Sequence, residues 1–192
     1  YIDHRIEPAY SSYRLLEADS CALSTYQMQG PFEVIARLGV NKHTKRPSED
    51  DHKAAYLNAL MWTLTGDEAH ARKSIEILNA YSAMLKLIGP NDNDDPLCAS
   101  LQGSMLANAA ELIKHTYSKV TPAEIAGWEK MLRTVFIPVL DTFFKAKPYT
   151  NGNWGAAATK AYMAFGIFLE DEALYNQAVH FYYNCLLYTS DA

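Results

Sequence analysis

The chain has 192 residues, 49% of them hydrophobic and 20% charged, with a formal net charge of −5 at neutral pH. That length supports one sizeable core and a single globular domain. The acidic balance argues against a general nucleic-acid-binding role, no apolar run is long enough to span a membrane, and Cys21, Cys98 and Cys185 lack metal-ligand spacing.

Apolar residues recur at helical spacing nearly throughout, which predicts an all-α fold. A first helix is expected within residues 6–19, carrying Tyr13, Leu15 and Leu16. The pattern then breaks down. Residues 24–31 read as a loop and residues 32–38 as a short turn of helix. The run Asn41-Lys42-His43-Thr44-Lys45-Arg46 is the one concentration of positive charge, and it reads as a solvated loop. Ser48-Glu49-Asp50-Asp51 has the form of a capping box, so the next helix is placed from there through Ala54, Leu57 and Met61 to Trp62.

Thr65-Gly66-Asp67 ends that helix with Gly and caps the following one with Asp, giving a tight αα-hairpin whose second helix runs to about residue 88. The acidic loop 89–96 lacks the spacing of a calcium loop and reads as a solvated turn. Residues 97–117 form the next helix, with Ala99, Gly103, Ala107, Ala109 and Ala110 giving it a small-residue side suited to close packing. Thr121-Pro122-Ala123-Glu124 is a full N-terminal signal, and the helix it starts is expected to bend at Pro138. A buried helix from Ala156 and a last helix over 174–184 complete the series, predicting stacked hairpins without an internal repeat of fixed period. Thirteen tyrosines and three tryptophans are a mild aromatic excess, read first as core packing and second as a sugar-binding surface.

Asn151-Gly152-Asn153-Trp154-Gly155 is the segment with the most chemistry in it. Two amides and an indole sit where a Gly-punctuated loop becomes a buried helix, and free N–H groups at a helix start suit an anionic group. This segment, the stretch 54–67 with its Thr-Gly-Asp corner, the continuation over 73–81 and the helix 106–117 together resemble the alginate-lyase-like family of polysaccharide lyases. The resemblance implies an incomplete (α/α) toroid of antiparallel helical hairpins. It also implies β-elimination on alginate or a related uronic-acid polymer, a secreted or periplasmic location, no cofactor or metal, and neither nucleic acid nor membrane as partner.

Within that resemblance Asn153 is the residue that would neutralise the substrate carboxylate, and Trp154 a sugar-facing or packing neighbour. Asn151 is a weaker alternative, and Gln102 and Tyr26 are further candidates for the cleft. Motif chemistry alone favours reading Asn153 as a simple helix cap; the resemblance tips it towards the functional role, and the two are compatible. The family's Arg- and His-bearing segment and its usual catalytic Tyr are expected downstream of this chain, so no base is assigned, and His115, Tyr117, His180 and Tyr183 read as structural or surface residues. Residues 1–184 are accordingly expected to be part of the toroid domain, inactive alone. Residues 185–192 read as a non-native, adapter-derived tail, with a native continuation of the last helix as the other reading. Two competing functions remain open: a non-enzymatic helical-repeat module binding protein or glycan, and a glycoside hydrolase, which would need two opposed carboxylates.

Overall fold

The computed structural model describes residues 2, 4–90, 93–146 and 152–183, and the fold is all-α. The helices are α1 (Ala9–Glu17), α2 (Lys45–Thr65), α3 (Glu68–Met84), α4 (Asp95–Thr116), α5 (Pro122–Met131), α6 (Ile137–Lys145), α7 (Asn153–Phe168) and α8 (Glu172–Tyr183). Local signals start and stop several of them as the sequence predicts. Gly66, at φ +73°, closes α2, and the Asp67 carboxylate accepts from the Ala69 N–H to open α3. Thr121 and Glu124 form a reciprocal capping box on α5.

Three expectations need correction. Residues 32–38 hold no helix; Val34–Ile35 form a short strand, β1, paired in parallel with Leu87–Ile88, β2. The Gly89 N–H donates to the Ile35 carbonyl at 2.7 Å, and Ile35 and Ile88 are both buried, so tertiary packing overrides local propensity here. The same pairing ends α3 at Met84, short of residue 88. Finally, α2 begins at Lys45 rather than at Ser48. The buried Thr44 hydroxyl accepts from the Ala36 N–H and donates to the Asn41 carbonyl, fixing a 3₁₀ turn over Lys42–Thr44 that runs into α2. Pro47 then falls in the first turn, where its missing N–H is harmless. Most of the basic run is therefore helical rather than loop.

Pro138 leaves its mark as expected, but by a different device. A π-turn over Leu132–Phe136 joins α5 to α6 and widens the backbone ahead of the proline.

Successive helices alternate between two layers. One row is α2, α4 and α7, with α4 in the middle; the other is α3, α5 with α6, and α8. Small residues on α4 let the rows close up. A Cβ on Gly103 would lie 2.7 Å from both Phe136 and Phe165, so α4 and its neighbours approach as closely as glycine allows. Trp128, Tyr81, Tyr162, Phe136, Phe165 and Phe168 fill the space between the rows. In the second row Phe144 stacks on Tyr162 at 4.7 Å and meets Phe181 edge-on at 4.6 Å, tying α6 to α7 and α8.

Candidate functional site

Side-chain bonds fix the direction of the first row. Arg37 bridges Glu49 of α2 at 2.6 Å and Asp94, just before α4, at 3.0 Å, so the starts of these helices lie together. Trp62 Nε1 donates to Thr116 Oγ1 at 2.9 Å, joining their far ends. Lys114 reaches Glu170 at 2.5 Å beside the end of α7, while Gly103, farther up α4, packs on Phe165. Helices α2, α4 and α7 therefore run parallel, and their N-terminal ends share one end of the molecule. That end carries the free N–H groups and positive dipole poles of three helices.

Asn153 sits there. Gly152 holds φ +89°, a backbone state open to glycine, and is the N-cap residue of α7. The helix begins one residue earlier than a capping asparagine would need. Asn153 therefore occupies the first helical position, is exposed, and makes no cap hydrogen bond. The simple capping reading fails on this geometry. Trp154 turns the other way, half-buried against the core. Behind it Gly155 is buried and its carbonyl accepts from the Thr159 hydroxyl at 2.8 Å, which stiffens the first turns of α7. Asn151 lies outside the described residues.

The other two candidates are held inside the structure. Tyr26 is half-buried and donates to Asp51 Oδ1 at 2.8 Å, while its hydroxyl accepts from Gln29 Nε2 at 3.1 Å. Burial, with Asp51 next to it, raises the Tyr26 hydroxyl above its ordinary range, so it is a poor base near neutral pH. Gln102 is 1% exposed and donates to Cys98 Sγ at 3.3 Å. In this arrangement it supports the α4 interior and does not reach solvent. Asn153 and Trp154 share one turn of helix; Tyr26 belongs to a separate cluster around Asp51.

Two residues at this end carry more of its geometry than sequence reasoning assigned to them. Asp51 is completely buried and accepts four hydrogen bonds: from the Tyr26 and Tyr81 hydroxyls and from the Gln29 and Gly30 N–H groups, all between 2.7 and 2.9 Å. It pins the segment 26–30 onto α2 and α3. Arg37 is the second, and an isolated Arg after a short apolar run gives no local signal of a bridging role. Next to Asp51, His52 is fully buried, edge-on to Tyr81 at 4.3 Å, with the Gln102 amide beside it. Burial pushes its pKa down to about 3, so its imidazole is neutral.

An open concavity lies at the same end between α4 and α6, lined by Asp95, Pro96, Val139, Thr142, Phe143 and Ala146 among others. It is mostly apolar, and Asn153 is not among its lining residues. No cluster of three or more potential metal ligands occurs among the described residues, and none of their helices is long and apolar enough to cross a membrane.

The family described as alginate lyase matches residues 30–188 of the chain. No curated protein and no solved structure matches it. The matched stretch includes α2 to α8, and with them both Asn153 and the Asp51 cluster.

Proposed function

The chain belongs to the alginate lyase family, and on that premise we propose that it is part of a polysaccharide lyase acting on alginate or a related polyuronate. The proposed fold of the whole is an (α/α) toroid, of which the two alternating helix rows are successive hairpins. In the reaction a base removes the proton from the ring carbon that bears the carboxylate. The electron pair forms a carbon–carbon double bond, the bond to the neighbouring sugar's oxygen breaks, and that oxygen takes up a proton. The proton is a very weak acid while the carboxylate is charged, so donors aimed at the carboxylate do most of the work by stabilising the developing enolate.

The observation that carries this reading is the exposed Asn153 amide, left without a cap bond by Gly152, at the end of the molecule where three helix N-termini gather. Asn153 is the proposed carboxylate donor and Trp154 its sugar-side neighbour. Tyr26 and Gln102 act behind the surface, Tyr26 by fixing its loop on Asp51 and Gln102 by filling the α2–α4 interface. The base is proposed to come from outside the described residues, because the buried His52 and the carboxylate-bound Tyr26 and Tyr81 are unsuited to accept a proton. The location is proposed to be extracellular or periplasmic, where such polymers occur.

The full-length gene product, supplied with alginate and other polyuronates, should release unsaturated uronates detectable by ultraviolet absorbance. Absence of product from every polymer rejects the lyase reading. Asn153→Ala should lower turnover roughly 100- to 1000-fold, the scale of removing one positioned donor. Because Asn153 is exposed, stability should stay within about 0.5 kcal/mol of wild type.

A further inference from the structure

Packing does not require glycine at position 152. A Cβ built there meets no atom within 4 Å, in contrast to Gly103 and Gly166, whose Cβ atoms would collide with their neighbours. The backbone is what demands it: φ +89° with ψ −160° is a state essentially closed to L side chains. Glycine also brings no side-chain oxygen to the start of α7. Helices of the other row begin differently. Asp67, Thr121 and Asp171 each accept an N–H at the start of α3, α5 and α8. At α7 an asparagine, a residue type well suited to capping, stands one place too far along. The Ala156 N–H already closes the first turn on the Gly152 carbonyl at 3.0 Å. Trp154, packed against the core, and the buried Gly155 hold that turn with Asn153 exposed.

We propose that Gly152 is a positioning residue, which acts through Asn153 by preventing that asparagine from capping α7. The proposal rests on the lyase reading above and deepens it. An L side chain at 152 is strained at φ +89°, and the strain is relieved when α7 starts one residue later. That shift gives up one hydrogen bond, from the Ala156 N–H to the Gly152 carbonyl. In exchange the Asn153 side-chain oxygen closes on the N–H of Gly155 or Ala156, as a cap. Its NH2 group then turns with the side chain over the first turn, away from where the first helical position holds it. Glycine at 152 keeps these two arrangements apart, and α7 forgoes a cap so that the amide stays open.

The test crosses Gly152→Ala with Asn153→Ala. In the full-length gene product, Gly152→Ala should lower kcat for release of unsaturated uronates roughly 10- to 1000-fold, at most the loss of the donor itself, with KM little changed. Both substitutions act on one amide, so the double variant should be no slower than Asn153→Ala alone. Thermal melting of this chain supplies a readout that needs no activity. With Gly152 in place, Asn153→Ala leaves the melting temperature unchanged. In the Gly152→Ala background the same change removes a cap and lowers the melting temperature by roughly 2–4 °C. Losses in kcat that multiply overturn the proposal, as does full turnover in Gly152→Ala. An Asn153→Ala melting shift that is equal in both backgrounds also overturns it. A wild type that releases no unsaturated product from any polyuronate removes the lyase reading, while the melting comparison still decides whether Gly152 controls the cap.

Discussion

Replacing Asp51 by Ala is the sharpest perturbation of the end of the molecule that carries Asn153. The carboxylate is completely buried and receives the Tyr26 hydroxyl at 2.8 Å, the Gln29 and Gly30 N–H groups at 2.9 and 2.8 Å, and the Tyr81 hydroxyl at 2.7 Å. Tyr81 is itself fully buried and edge-on to His52, so its hydroxyl has no route to water once the carboxylate is gone. The partly exposed 26–30 segment can swing out and hydrate its N–H groups, at the expense of its packing. A buried donor left without an acceptor costs about 1–3 kcal/mol. With Tyr81 stranded and two backbone donors partly so, the expected loss is about 3–5 kcal/mol. For a domain of this size that lowers the melting temperature by roughly 6–20 °C.

Asp51→Asn should cost less, about 1–3 kcal/mol. Its carbonyl keeps the Tyr26 and Gln29 donors, while its amide faces Gly30 and Tyr81, and only the tyrosine can reverse its hydroxyl to accept. Thermal unfolding followed by circular dichroism gives the order wild type, Asn, Ala. Hydrogen exchange at Gln29 and Gly30 should accelerate in both variants. A melting temperature for Asp51→Ala within about 2 °C of wild type, with exchange at Gln29 and Gly30 unchanged, refutes the hub reasoning.

Other substitutions probe the remaining supports. Gly103→Ala places a Cβ 2.7 Å from Phe136 and Phe165, so it should destabilise by about 1–3 kcal/mol despite alanine's better helix propensity, read as a lower denaturant midpoint. Thr121→Ala removes the capping box of α5 and should cost about 1 kcal/mol in the same assay. His52 gives a pH prediction. Its folded pKa of about 3 lies below the ordinary value of 6.5, so between these limits the unfolded chain binds the extra proton. This contribution is complete above pH 6.5 and is lost as pH falls, at up to about 1.4 kcal/mol per pH unit. Melting temperature should decline from pH 6.5 to 4.5, and His52→Leu should flatten that part of the curve; an unchanged slope would mean the buried imidazole does not titrate in this way.

Helix boundaries set by neighbours in sequence were readable without a structure. Thr65-Gly66-Asp67 and Thr121-Glu124 act within a few residues, and both behave as their residue types require. Boundaries set across the fold were not. Ser48–Asp51 mimics a capping box, yet α2 starts earlier because Thr44 is tied to Ala36 from the preceding strand region. Ser48 instead bonds back to the Lys45 carbonyl, inside the helix. A two-residue strand such as Val34–Ile35 exists only because Leu87–Ile88 lies next to it, and no local pattern of two residues can announce that.

The candidate site divides along the same line. Asn153 was visible because amides beside glycines at a buried helix start are unusual, but its role turned on a single residue of register. Had the helix begun one residue later, Asn153 would have been the cap and its amide would have closed on the backbone. Gly152, at a φ that other residues rarely adopt, takes the cap position and leaves the amide exposed. Asp51 shows the converse case. By type and position it looked like a capping acid, whereas its oxygens are saturated by a loop more than twenty residues upstream and a tyrosine thirty residues downstream. A polar residue's neighbours in sequence say what it can bond, and only the fold decides whether those bonds are already made. An unbonded amide at a solvent-facing helix start is available to a ligand; a buried carboxylate with four donors is not. That distinction is why Asn153, and not the more polar Asp51, is the residue to test for substrate.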